Sequence, residues 1–225
     1  MTGVDGSRHG DRPGLDIAAV TVRFDDRIVL DHVSLSIGRG ELVCLQGPSG
    51  SGKSTLLQVV AGLLVPDGGN VAFDGHDLTS LPPHRRSIGM VFQRHALFPH
   101  LDVEGNVAFG LRMAKMPAAD RHRRTEELLE LVGLAGCAKR TVGTLSGGEA
   151  QRVALARALA PQPSMMLFDE PLSSLDAELR DRLADDVATI MRTTATTTLY
   201  VTHDRAEAAR VGDRIVDLSD LQRRH

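Results

Sequence analysis

Leu42-Val43-Cys44-Leu45-Gln46 runs directly into Gly47-Pro48-Ser49-Gly50-Ser51-Gly52-Lys53-Ser54-Thr55, and residues 54–64 that follow are rich in Leu, Val and Ala. The first run is short, apolar and bounded by a turn signal, the pattern of a strand buried on both faces. The last carries helix formers and reads as a helix ended by Pro66. Between them, Gly47, Gly50 and Gly52 free the backbone to turn its N–H groups inward and let an anion approach closely. A helix opening near Lys53 adds the positive end of its dipole. A Gly/Ser-rich surface turn would lack the flanking strand and helix. The stretch therefore predicts a phosphate cradle on an α/β core. Lys53 reaches the terminal phosphates of a nucleotide and the Ser54 hydroxyl suits Mg2+.

Two further stretches complete that chemistry. Met165-Met166-Leu167-Phe168-Asp169-Glu170 is an apolar strand ending in two acids. Ligands gather beyond the C-terminal ends of parallel strands, so Asp169 is expected to hold Mg2+ and Glu170 to polarise an attacking water. Acids also follow strands simply where a chain meets solvent; the phosphate loop gives this pair its meaning. Leu145-Ser146-Gly147-Gly148-Glu149-Ala150-Gln151-Arg152 opens another helix, with Ser146 and Glu149 as the two ends of a capping box. The glycine pair exposes N–H groups at the positive helix end, a second phosphate half-site.

The rest of the 225 residues fits this picture. Ala18, Val20, Val22 and Phe24 alternate, as do Val33, Leu35 and Ile37, which predicts antiparallel strands with one buried face. Short strands are expected around Val71 and Phe73, over 88–92 and over 199–201, and helices over 151–160 and 176–191. Leu179, Leu183, Val187 and Ile190 give the latter an apolar face. The character changes over 103–144, where Leu128, Leu129, Leu131 and Val132 adjoin the basic run 121–124; this reads as a small helical lobe with a solvated basic face. The formal net charge of −3 provides no global field for nucleic acid. Cys44 and Cys137 are the two cysteines, expected as reduced thiols of a cytoplasmic protein. No run approaches the ~20 apolar residues of a membrane span. Residues 1–14 are polar and Gly-rich, expected as a disordered leader and not a signal peptide.

In these motifs and their order, the chain resembles the ABC ATPases over nearly all of its length after the leader. Gly47 to Thr55 is similar to that family's Walker A motif, the strand ending in Asp169 and Glu170 to its Walker B motif, and Leu145 to Gln151 to its signature. Gln93 resembles the glutamine that senses Mg2+ and the transmembrane partner. Ser173-Ser174-Leu175-Asp176 resembles the D-loop, His203 the switch histidine at the γ-phosphate, and Phe24 the aromatic that stacks on adenine. The resemblance implies a P-loop NTPase core with a mainly parallel sheet over residues 15–220, an antiparallel β lobe, a helical lobe inserted at about 95–160, and a tail over 221–225. It implies ATP with Mg2+ as ligands. Glu170, His203, Lys53 and Gln93 take catalytic roles, Ser54, Gln93 and Asp169 hold the metal, and Phe24, Gly47 to Thr55, Ser146, Gly147, Gly148, Glu149 and Asp176 bind nucleotide. Two such domains pack head to tail, so a second copy is the implied partner.

The stretch Phe92-Gln93-Arg94-His95-Ala96-Leu97-Phe98-Pro99-His100-Leu101-Asp102-Val103, followed by Asn106-Val107-Ala108-Phe109-Gly110-Leu111, is similar to importer subunits for polyamines, ferric iron, sulfate, thiamine and sugars. It implies a permease partner, a substrate-binding protein, and a place on the inner face of the membrane. An exporter subunit, a non-transport ATPase acting on a nucleoprotein target and a defective cassette are the other readings; the presence of Lys53, Asp169, Glu170 and His203 disfavours the last. Many such importer subunits carry a further C-terminal regulatory β-domain, which is not expected within the few residues that follow Leu218 in this sequence. The family's closing turn and strand after Val216 are altered in residues 217–225.

Overall fold

The computed structural model describes residues 14–25, 27–93 and 97–222. The expected leader up to residue 13, Arg94, His95 and Ala96 of the importer-like stretch, and residues 223–225 of the expected tail lie outside the described residues.

A five-stranded parallel sheet forms the centre. Its strands are β3 (Leu42–Gln46), β6 (Ile88–Val91), β7 (Met165–Asp169), β8 (Thr197–Val201) and β9 (Arg214–Asp217), in the spatial order β6-β7-β8-β3-β9. Alternate residues of these strands enter two different cores. Val43, Leu45, Met165, Leu167, Leu199 and Val201 join one; Leu42, Cys44, Met166, Phe168 and Tyr200 join the other. A sheet covered on both faces needs continuous apolar strands, which explains why these runs do not alternate in sequence.

The first core is closed by helix α1 (Lys53–Ala61) and by a four-stranded antiparallel sheet of order β2-β1-β4-β5. Its strands are β1 (Leu15–Phe24), β2 (Arg27–Ile37), β4 (Gly68–Phe73) and β5 (His76–Asp77). The second core is closed by helices. These are α2 (Val103–Val107), α3 (Phe109–Met113), α4 (Ala118–Leu131), α5 (Gly147–Leu159), α6 (Ala177–Thr193) and α7 (Arg205–Val211). The helices α2 to α5 all fall between β6 and β7. On α6 the expected apolar face is present: Leu183, Val187 and Ile190 are buried and Leu179 packs against them. In the basic run His122 and Arg123 are exposed while Arg121 and Arg124 are half-buried, with Arg123 and Arg124 paired to Asp120 and Glu127. Both cysteines are free thiols.

Two details depart from the expectations drawn from sequence. The alternation Ala18, Val20, Val22, Phe24 is not one buried face. Leu15, Ile17, Val20 and Val22 are buried, Ala18 is only partly so, and Phe24 is 48% exposed. The pairing of β1 with β2 shifts between Ile17 and Val20, where Ala19 has φ +50°; this bulge moves the buried phase by one residue. Helix α1 stops at Ala61, before the expected residue 64. Gly62 at φ +77° takes a left-handed cap, and the Leu63 N–H donates to the Gln58 carbonyl at 2.9 Å. The buried Arg86 seals this end by donating to the Val59, Val60, Leu81 and Thr79 carbonyls at 2.8–3.0 Å. At the C-terminal end, residues 214–217 enter the sheet beside β3 as β9, and a short helix α8 (Leu218–Leu221) follows, with Leu218 buried.

Gly69 provides a stability test of the β lobe. It has φ +80°, and a Cβ built on it would lie 2.5 Å from the Ala18 carbonyl oxygen and closer to that of Ala19. Both left-handed strain and a backbone clash follow, since the opposing atoms belong to the bulged strand. Gly69→Ala is expected to lower stability by about 2 kcal/mol or more, read as a fall in Tm of about 4–8 °C. An unchanged Tm would mean that the bulge yields.

Candidate functional site

The C-terminal ends of β3, β7 and β8 carry the residues singled out above, because parallel strands deliver their ends to one edge. After β3 the chain turns through Gly47 at φ +148°, Gly50 at +76° and Gly52 at +104°. Gly52 is forced: a Cβ there would lie 2.8 Å from Leu30 of β2. Lys53 is 4% exposed, and its Nζ donates to the Gly47 and Pro48 carbonyls, each at 2.9 Å. The ammonium is thus wrapped by its own loop. Ser51 Oγ is buried with no hydrogen-bond partner among the described residues, an unmet need that a phosphate oxygen would satisfy.

The Ser54 hydroxyl donates to Asp169 Oδ1 at 2.8 Å. This joins the start of α1 to the end of β7 across 115 residues. Burial lifts the Asp169 carboxyl above its ordinary range and the neighbouring Glu170 charge adds to this, while the Ser54 hydrogen bond and Lys53 oppose it. A cation would relieve that cost. Hydroxyl and carboxylate oxygens are the donors a small hard cation takes, with nucleotide phosphates completing its shell. No cluster of three or more His, Cys, Asp or Glu suited to a metal occurs among the described residues.

Glu170 follows immediately. It is a non-glycine residue at φ +45°, with its N–H donating to the Val201 carbonyl at 3.0 Å. This costs about 1 kcal/mol or more of local strain and turns the carboxylate away from the strand line. Glu170 Oε1 lies 3.9 Å from Lys53 Nζ, and Oε2 lies 3.1 Å from His203 Nδ1. Gln93 enters through an intermediary: its Nε2 donates to Ser173 Oγ at 3.1 Å, which donates to the Glu170 carbonyl at 2.9 Å. Two clefts open here. One of about 200 Å3 is lined by Val29, Gly52, Ser54, Thr55 and Glu170; the other, of about 310 Å3, by Gln46, Pro48, Ser49, His203, Arg205 and Asp217.

The remaining expected residues lie on or beside other elements. Phe24 is exposed at the end of β1. Asp176 is the N-cap of α6, accepting from the Leu179 N–H at 3.0 Å. Ser146 and Glu149 form the expected capping box on α5, at 3.3 and 2.8 Å. Arg140 clamps Glu149 at 2.6 Å and, with the Ser146 N–H, holds its carboxyl down at about 2. Gly148 is buried, and a Cβ there would lie 3.1 Å from Leu179. Gly148 therefore also lets α5 seat closely on α6. Ser146 and Gly147 are exposed and line neither cleft at the phosphate loop.

The groups flanking His203 leave little trace in the sequence. Glu207 on α7 is 3% exposed; it accepts from the Tyr200 hydroxyl at 2.5 Å and the Thr202 hydroxyl at 3.1 Å. Burial raises its carboxyl above the usual glutamate range. Asp204 caps α7 by accepting from the Ala206 and Glu207 N–H groups. Only the Asp-x-x-Glu spacing after His203 hinted at this.

Strand, glycine loop and helix, with an acid pair ending the neighbouring parallel strand, define a P-loop NTPase. Residues 30–173 match the family model described as ABC transporter, and the chain belongs to that family. It is 52% identical over 206 residues to the Fe(3+) ions import ATP-binding protein FbpC of Streptomyces coelicolor, covering 92% of this chain and 59% of that one. It is 48% identical over 202 residues to the sulfate/thiosulfate import ATP-binding protein CysA of Mycobacterium tuberculosis, covering 90% and 58%. It is 47% identical over 203 residues to the putrescine transport ATP-binding protein PotG of Escherichia coli, covering 90% and 54%. The chain thus spans well under two thirds of the length of these relatives. No helix among the described residues is long and apolar enough to cross a membrane.

Proposed function

We propose that this chain is the MgATP-binding and hydrolysing subunit that powers solute import through a separate membrane permease. The observation that carries the reading is the linked set Lys53, Ser54, Asp169, Glu170 and His203 around one phosphate loop. The glycine-loop amides and Lys53 bind the β- and γ-phosphates. Ser54 and Asp169 would hold Mg2+, with Gln93, linked to the Glu170 turn through Ser173, as a further ligand, and the ion would neutralise phosphate charge. Glu170 orients the water and accepts its proton as the water oxygen bonds to the γ-phosphorus. The bond to the β–γ bridging oxygen breaks, and ADP and phosphate leave. His203 shares Glu170's carboxylate and faces the γ-phosphate. Phe24 stacks on adenine, and Asp176 lies at the contact with a second copy, whose Ser146 to Glu149 segment covers the nucleotide.

The relatives' names support an importer motor at the inner face of the membrane, with a permease and a substrate-binding protein as partners. Those names specify a ferric cation, an anion and a diamine. Such unlike charges support a shared motor and point to no one cargo. The acidic balance of the chain supports no nucleic-acid role.

Lys53→Ala tests the core of this reading. It removes a buried cation facing the terminal phosphates, so ATP affinity and hydrolysis are both expected to fall, by about 10- to 150-fold for charge-assisted hydrogen bonds. Equilibrium nucleotide binding and phosphate release measured on the folded variant decide it; both unchanged would overturn the assignment.

A further inference from the structure

Arg180 lies on the first turn of α6, outside every motif named above, yet it touches both arms of the site. Its Nη2 donates to the Leu175 carbonyl at 2.7 Å and its Nη1 meets Asp204 Oδ2 at 3.1 Å. Leu175 belongs to the turn that starts at Glu170 and contains Ser173, the intermediary between Gln93 and Glu170. Asp204 is the residue after His203. Its other groups are all engaged: its N–H donates to Thr202 Oγ1 at 3.1 Å, its carbonyl accepts from Gln46 Nε2 at 3.3 Å, and Oδ1 caps α7. The His203 turn therefore has little freedom of its own, and Arg180 fixes it to the turn after Glu170. Arg180 Nε is buried without an acceptor among the described residues. That is a cost which a casual surface ion pair would not carry.

We propose that Arg180 is a positioning residue that sets His203 against Glu170 by clamping Asp204 and the Leu175 carbonyl together. The role rests on the reading that His203 and Glu170 serve the same phosphate. The planar fork of arginine suits this double duty, because one face of the guanidinium reaches a carboxylate while another N–H reaches a carbonyl. Lysine would supply a single point charge and hold one arm at a time.

The test uses the full chain and two readouts. The first is the imidazole resonance of His203 in histidine-labelled protein, assigned by its loss in His203→Ala. The second is steady-state ATP hydrolysis beside equilibrium ATP binding. Arg180→Met is expected to shift or broaden the His203 resonance without nucleotide and to lower kcat by about 10- to 100-fold, the scale of a small misplacement, with ATP affinity within about twofold because Lys53 and the loop are untouched. Arg180→Lys should fall between wild type and Arg180→Met. Asp204→Asn keeps the Oδ1 cap of α7 but turns an NH2 toward Arg180, and serves if Arg180→Met does not fold; the same His203 shift is expected. An unchanged His203 resonance in a folded variant overturns the proposal, as does a kcat like wild type when His203→Ala itself is slowed. Failure of the underlying reading looks different: His203→Ala would then hydrolyse ATP normally, while the resonance still answers whether Arg180 positions the ring.

Discussion

Replacing Glu170 by Gln is expected to lower ATP turnover by about 10²- to 10⁴-fold, the usual contribution of a positioned general base, while ATP affinity changes by less than about threefold. The geometry separates the two effects. On the proposed reading the phosphates are bound by Lys53 and the loop amides, with the Ser54–Asp169 pair beside them; Glu170 touches this set only through its 3.9 Å approach to Lys53 and its charge beside Asp169. Glutamine is nearly isosteric and still meets His203 Nδ1, which lies 3.1 Å from Oε2 in the wild type. The backbone at φ +45° is held by the N–H bond to Val201, so the turn survives the change. What is lost is the proton acceptor at the water. Phosphate release and equilibrium nucleotide binding should be measured on one preparation. Turnover near wild type would remove Glu170 from the base role. A joint collapse of affinity and turnover would make it a binding group instead.

The parts of this site that were legible in sequence are those where chemistry is local. The loop from Gly47 to Lys53 lies in one short segment and its flanks declare themselves as strand and helix; the Ser146–Glu149 cap closes within a single turn. What stayed hidden is built across distance. The Gln93–Ser173 bond spans 80 residues and the Arg180–Asp204 pair 24, and neither leaves a pattern along the chain. Secondary structure follows the same division. The apolar face of α6 extends over 17 residues and was readable, whereas α2 and α3 have five residues each, too few for a helical period to emerge. The phase error in β1 arose because one bulged residue, Ala19, exchanges the faces of a strand, and alanine gives no signal of it. The early stop of α1 was written in Gly62, but Pro66 is the louder breaker, and the nearer residue won.

The hydrolysis-deficient Glu170→Gln chain is expected to be monomeric without nucleotide, to dimerise in MgATP, and to remain monomeric in ADP. Each chain carries a phosphate loop at the sheet edge and an exposed Ser146–Gly147 pair opening the 13-residue helix α5. Within one chain these do not converge, since neither cleft at the loop includes a residue of α5. The donors at Ser146 and Gly147 can therefore serve a γ-phosphate held by another copy, whose charge needs partners on both sides. ADP lacks that bridging group. Ser146→Arg places bulk over the helix end and should abolish the ATP-dependent dimer while leaving nucleotide binding to the same chain's own loop intact. Ser146 also caps α5, so loss of the cap needs its own control. Ser146→Ala removes the cap, at about 0.5–2 kcal/mol of stability, without adding bulk; it should weaken the dimer less than Ser146→Arg does. Light scattering in ATP, ADP and no nucleotide separates the outcomes. Equal dimerisation in all three, unaffected by Ser146→Arg, would overturn the shared-nucleotide arrangement, because the second half-site would then have no phosphate to answer.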